Sequence, residues 1–216
     1  MNEIINSFLL IYAGLFPIVN PVGGAPIFLG LTKQTPDAER HALAARVALN
    51  GFLLLLGSLF VGSYVLEFFG ITLPVVRVGG GLVVIAFAWK LLNEAVVEQR
   101  ATGEGERAVP PIDAFYPLTM PLTVGPGSIS VAITLGSQRP NMPGSIADLV
   151  LLGSGAVTGL LAIAMTIYLC YRFADRIVAA LGAGGTNVLI RLSAFILLCI
   201  GIQIVWNGYS ALVSNS

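Results

Sequence analysis

Asn20-Pro21-Val22-Gly23-Gly24-Ala25-Pro26-Ile27-Phe28 lies inside an uncharged run that extends from Ile4 to Leu31. Three prolines, Pro17, Pro21 and Pro26, interrupt this run, and Pro117, Pro121 and Pro126 repeat their spacing in a later apolar stretch. A proline inside a helix removes a donor and clashes with the preceding turn, at a cost of about 3 kcal/mol. Glycines between the prolines add backbone freedom, so a short unwound or re-entrant segment is expected rather than a mild kink. Broken backbone at membrane depth is tolerated only where protein or a protein-lined cavity surrounds it. The pair of interruptions therefore points to a duplicated membrane protein with two broken helices.

Composition agrees with that reading. Charged residues make up 10% of the chain, hydrophobic residues 56%, and the mean hydropathy is +0.88, whereas soluble domains carry about 25% charge. Runs long enough to cross a hydrocarbon core, about 20 residues each, occur at Ile4–Leu31, Ala42–Leu66, Thr72–Leu92, Ala114–Leu135, Leu149–Tyr171 and Leu192–Leu212. The expected fold is an all-α membrane protein of six transmembrane helices. The first run has Glu3 near its start, no basic leader and no small-residue cleavage site, so it is expected to stay in the mature protein.

Basic residues set the expected orientation. Lys33, Arg40, Arg46, Lys90, Arg100, Arg107, Arg172, Arg176 and Arg191 fall on the side of loops one, three and five, against Arg77 and Arg139 on the other. Loops one, three and five are thus expected in the cytoplasm and both termini outside. The polar stretch 93–113, with Thr102-Gly103-Glu104-Gly105 and Pro110-Pro111, reads as a cytoplasmic linker between a first repeat, 1–92, and a second, 114–216. Each repeat holds three helices, an odd number, so the second enters from the opposite face and the repeats are inverted. Arg77, before Gly79-Gly80-Gly81, and Arg191, before Ser193-Ala194, open helices three and six in corresponding places.

Where a helix restarts in mid-membrane, its first amides lack internal partners and its dipole favours an anion. Pro26 and Pro126 are placed as first-turn residues of such restarts. The amides of Gly127 and Ser128 and the side chains of Asn20, Thr119, Thr123 and Ser128 are candidates to hold a small polar solute. Carbonyls freed near Pro21 and Pro121 suit an ammonium group or a cation, so a zwitterion fits both ends. The candidate path comprises Asn20, Pro21, Gly23, Gly24, Pro26, Thr119, Pro121, Thr123, Gly125, Pro126, Gly127 and Ser128. The bland alternative is a pair of packing kinks relieved by nearby hydroxyls.

Arg77 and Arg191 either snorkel to headgroups or face inward as counter-charges at the mouths of the path. Gln203, in mid-helix six, is expected to face the bundle. Gly155-Ala156-Val157-Thr158-Gly159 reads as a close helix contact, and Asn50, Ser58 and Ser154 as packing residues. Thr35-Pro36-Asp37 reads as a helix start with Thr35 as the cap. No Asp or Glu lies within a span and the single histidine, His41, stands at a helix start, so metal transport and an intramembrane acid relay are not expected. Cys170 and Cys199 form no C-x-x-C pair and read as buried small residues.

The two motifs Asn20–Phe28 and Pro121-Leu122-Thr123-Val124-Gly125-Pro126-Gly127-Ser128-Ile129, with the arginines and small residues opening helices three and six, resemble the MarC family of six-helix bacterial inner-membrane proteins. The resemblance implies a place among exporters of the lysine-exporter type, with small neutral amino acids as the solute class. The expected function is therefore a secondary transporter in the bacterial inner membrane, in contact with lipid and a small-molecule solute. No cofactor, enzyme activity or nucleic-acid partner is expected, and a homo-oligomer stays open. The competing readings are a non-transporting membrane scaffold and, more remotely, a thiol redox protein using Cys170 and Cys199.

Overall fold

The structure, a computed structural model, describes residues 2–93, 113–137 and 146–214. Helix α1 (Asn2–Val19) is followed at once by α2 (Pro21–Leu31), α3 (Asp37–Phe68) and α4 (Leu73–Asn93). A π-helical turn (Leu118–Thr123) then leads into α5 (Pro126–Ser137), α6 (Ile146–Arg172) and α7 (Ala174–Ser214). Among the described residues there is no strand. The expected linker lies almost entirely outside them.

Among the described residues four helices, α3, α4, α6 and α7, are long and apolar enough to cross a membrane, and α1 with α2, bent by 41° at their junction, makes either a broken fifth span or a re-entrant loop. The sixth expected span, Ala114–Leu135, is divided into the π turn and α5, whose 12 residues fall short of the roughly 20 a crossing needs. Its division follows from the sequence around Pro121 and Pro126. Residues before proline avoid helical dihedrals, and Met120 is extended at φ −118°, ψ 123°.

Helix α3 begins five residues before the expected Ala42 because its first turn is polar. Apolar runs mark where a helix enters lipid, not where it starts. Thr35 is not its cap: Pro36 occupies that position with no side-chain bond, and the Thr35 amide closes the preceding turn on Thr32 O at 3.0 Å. Asp37 and Glu39 stand in the first turn, where they suit the helix dipole. Helix α7 starts well before Leu192 and kinks at Gly182, whose φ of 63° and ψ of 179° is a conformation open essentially to glycine.

The bundle is built from helix pairs in close contact. A methyl group on Gly81 of α4 would lie 2.9 Å from Gly201 O of α7, and one on Gly208 would lie 2.8 Å from Pro74 O. The Gly155–Gly159 pattern of α6 packs on α1: a methyl on Gly155 would meet Ile4 O at 2.7 Å, and one on Gly159 would meet Ile11 Cβ at 3.0 Å. Small residues let backbones approach in this way. The main core, with Leu15, Phe28, Leu55, Leu118, Leu160, Ile163 and Ile167 fully buried, joins α1, α2, α3, the π turn and α6. Leu9, Leu53, Leu82, Leu161 and Phe195 are exposed, as lipid-facing residues should be.

Arg40, at the start of α3, donates from Nη2 to Asp37 Oδ1 at 2.6 Å and to Asp175 Oδ2 of α7 at 2.7 Å. The α2–α3 and α6–α7 connections thus share one end of the bundle. At the other end, Ser137 of α5 lines a groove with Gly70, Ile71 and Thr72 of the α3–α4 turn.

The packing yields a test. Gly159→Leu should lower the thermal stability of the detergent-solubilised protein by more than the roughly 1–3 kcal/mol typical of overpacking. Gly57→Leu, where nothing lies within 4 Å, should leave the unfolding temperature unchanged. Equal behaviour of the two variants in a melting experiment would show that the α1–α6 contact does not hold the bundle.

Candidate functional site: two backbone breaks

The first break is one residue long. Asn20 adopts the left-handed region at φ 47°, ψ 55°, which asparagine tolerates better than most residues. Its amide donates to Phe16 O at 2.9 Å, closing α1, while its carbonyl accepts from Gly24 N at 2.9 Å, opening α2. Its Oδ1 accepts from Gly23 N at 3.2 Å. A single residue thereby ends one helix and, through its side chain, caps the next. Pro21 is the first residue of α2, where its missing N–H costs nothing.

Pro26 is not a first-turn residue, as expected from the sequence, but lies inside α2. The restart falls earlier because Asn20 supplies the turn and the cap. The consequence for binding is direct: the Gly23 and Gly24 amides are already occupied by Asn20, and an anion would find little at this helix start. Pro26 instead leaves the Val22 carbonyl, four residues earlier, without a helical donor.

The second break is longer. Thr119 N bonds to Ala114 O at 3.0 Å, Met120 N to Phe115 O at 2.8 Å and Val124 N to Thr119 O at 2.8 Å, the wide spacing of a π turn. The buried hydroxyls of Thr119 and Thr123 donate back to Ala114 O at 2.7 Å and Leu118 O at 2.8 Å. Asn50 Nδ2 of α3 reaches Thr119 Oγ1 at 3.4 Å. Pro126 does open α5, as expected, and Gly125 O accepts from both Ile129 N at 3.1 Å and Ser128 Oγ at 2.9 Å. The amides of Gly127 and Ser128 precede that first helical bond. Both residues are buried, and a methyl on Gly127 would overlap Val84 of α4.

The two breaks meet. A cavity of about 20 Å³ is lined by Asn20, Gly23 and Gly24 of the first, Leu122 of the second, Phe87 and Leu91 of α4, and Leu197 of α7. It has room for about one water, against about 300–1,000 Å³ for typical ligand pockets, so it is too small for an amino acid as it stands. Pro121 and Pro126 face outward, Gly127 lies under α4, and neither Gly127 nor the buried Ser128 lines the cavity. The larger groove at the α3–α4 turn, about 340 Å³, shares no residue with either break.

Arg77 and Arg191 do not take equivalent places. Arg77 is half-buried with Nε 3.4 Å from Thr134 Oγ1 of α5, and Arg191 is exposed. Gln203 does not face the bundle: it is exposed, and its Nε2 donates to Asn207 Oδ1 at 2.8 Å. A partner one turn along its own helix satisfies the amide without a neighbour. Cys170 is half-buried and Cys199 exposed, both as free thiols. No group of three or more metal-ligating side chains occurs among the described residues.

The residue that sequence reasoning missed is Tyr171. Fully buried, its hydroxyl lies 2.8 Å from Thr123 Oγ1 and its ring stacks on Phe28 with centroids 4.5 Å apart. Beside Arg172 at the end of an apolar run it reads as an interfacial tyrosine. No local signal separates that role from the one it has.

These features define a polytopic α-helical membrane protein whose first and fourth apolar runs are broken where they meet. The pattern described as MarC family integral membrane protein matches residues 3–213, and the chain belongs to the MarC family. It is 30% identical over 207 residues to the UPF0056 inner membrane protein MarC of Salmonella typhimurium, with 93% of each chain covered. The MarC protein of Escherichia coli strain UTI89 is 29% identical at the same coverage. A UPF0056 membrane protein of Pyrococcus abyssi is 29% identical over 208 residues, 96% of each chain. No solved structure matches.

Asn20→Ala should destabilise the fold by about 1–2 kcal/mol, through loss of a cap and of a residue suited to left-handed dihedrals. Asn20→Gly, which keeps the backbone freedom, should cost less. Thermal melts of both variants in one detergent check the order.

Proposed function

We propose that this MarC family protein is a secondary transporter of a small neutral amino acid or similar small metabolite, working by alternating access of two inverted three-helix halves. The observation that carries the reading is the shared cavity: a break from each half contributes to one small space between α1, α2, the π turn, α4 and α7. Helix partnerships exchange between halves in support of the repeat, since α2 packs on α7 as α5 packs on α4, while α3 meets α6 and α4 meets α7. On this reading the chain crosses the membrane six times. The Arg40–Asp175 contact puts two basic-rich connections at one end, which the charge rule assigns to the cytoplasm, with both termini outside.

The Val22 carbonyl, which Pro26 frees one residue before the cavity-lining Gly23, suits the ammonium group of a zwitterion once the cavity widens. The Gly127 and Ser128 amides suit its carboxylate, and reach the path once α4 moves from above them. Apolar walls from Phe87, Leu91 and Leu197 match a solute with little side chain.

Counterflow in proteoliposomes loaded with alanine, serine or glycine, with and without a sodium gradient, tests the proposal. Saturable exchange is expected, reduced at least about tenfold by Gly125→Leu. A methyl at Gly125 meets only Pro121 O, at 3.3 Å, so that variant should fold, whereas one at Gly24 would lie 2.7 Å from the Tyr171 hydroxyl and displace it. Absence of exchange from well-folded wild-type protein would favour the non-transporting scaffold.

A further inference from the structure

We infer that Tyr171 is the pin of the gate at the end of the bundle where Arg40 and Asp175 meet, and that this end opens by losing the Tyr171–Thr123 hydrogen bond. The inference rests on the transport reading of the two breaks. Thr123 has one hydroxyl proton, which it donates to Leu118 O at 2.8 Å, so at 2.8 Å the Tyr171 hydroxyl is the donor to Thr123 Oγ1. The same hydroxyl sits against Gly24, where a methyl would approach it to 2.7 Å, and the ring stacks on Phe28. One side chain on α6 therefore joins α2, from the first half, to the π turn, from the second.

Position makes this joint a gate rather than a general core contact. Tyr171 is the penultimate residue of α6, and Asp175, four residues on, holds Arg40 at the start of α3. Both α2 and the connection after it lead to that same end. Gly24 also lines the cavity, so a single glycine separates the phenol from it, and the helix that carries the phenol ends at this face. A hydrogen bond between two neutral hydroxyls is weak enough to break in a conformational cycle, where an ion pair buried at the same depth would not be.

The test reads accessibility, without solute, in a Cys170→Ala, Cys199→Ala background reconstituted in liposomes. Leu122→Cys, on the cavity, is labelled with a membrane-impermeant maleimide added from the face that labels exposed Lys33→Cys. Leu135→Cys, which packs against Gly14 between α1 and α5, reports on the other half of the bundle. Tyr171→Phe and Thr123→Val should each raise Leu122→Cys labelling about two- to tenfold, the shift in open population that loss of one neutral hydrogen bond allows. The double variant should rise no further than either single one, because both remove the same bond. Leu135→Cys should not change. Unchanged labelling of Leu122→Cys in both single variants, additive effects, or an equal rise at Leu135→Cys would overturn the gate. Failed counterflow alongside the expected labelling would remove the transport reading and leave the gate in place.

Discussion

Every backbone N–H and C=O at membrane depth must find a partner inside the protein, and the two breaks are shaped by that requirement. Asn20 meets it with three hydrogen bonds, one through its amide, one through its carbonyl and one through its side chain. The π turn meets it through wide main-chain bonds and the hydroxyls of Thr119 and Thr123, each returned to a carbonyl five residues earlier. Ser130 does the same between helices, donating to Val76 O of α4 at 3.0 Å. Most polar side chains that look like solute ligands in the sequence are thus holding the chain's own irregular backbone.

This distinction explains what could be read in advance. Prolines and glycines are covalent facts with local consequences, so the breaks at Asn20–Pro21 and Met120–Pro121 were legible, as was the Gly155–Gly159 contact. The membrane class followed from composition. The exact restart of α2 was not legible, because it depends on Asn20 adopting left-handed dihedrals, which several residues near a proline could have done equally well from sequence alone. Nor was the division of the fourth run into a turn and a short helix, since an apolar run looks the same whether one helix or two fill it. Tyr171 and the outward turn of Gln203 depend on which face of a helix meets a neighbour, and in lipid both faces are apolar. The periodicity that separates inside from outside in a soluble helix is missing here.

The helix pairs and the breaks have opposite mechanical characters. At Gly81–Gly201 and along Gly155–Gly159 backbones touch, and such contacts tolerate little relative movement before atoms collide or separate. Around Asn20 and Leu122, in contrast, there is a small cavity and the irregular backbone is held by individual hydrogen bonds rather than by backbone contact. Rigid pairs joined through such breaks are the arrangement that the proposed alternating access needs. The Gly182 kink adds a further flexible point where α7 leaves the Arg40–Asp175 end.

Charge is confined to the ends. The Arg40 guanidinium is largely buried, yet its partner Asp175 is half-exposed and Asp37 mostly so, which leaves that end wetted and able to separate without stranding a bare charge in lipid. Within the bundle the polar groups around the breaks are main-chain atoms, hydroxyls and amides, and the cavity between the breaks is walled by Asn20, Gly23, Gly24, Phe87, Leu91 and Leu197. Recognition built from backbone atoms would need no carboxylate at membrane depth, and no Asp or Glu lies within the apolar runs of the sequence. Gly23 and Gly24 form one wall of that cavity, and their backbone packs so closely on its neighbours that a methyl group would meet the Asn20 and Ser193 side chains at Gly23 and the Tyr171 hydroxyl at Gly24.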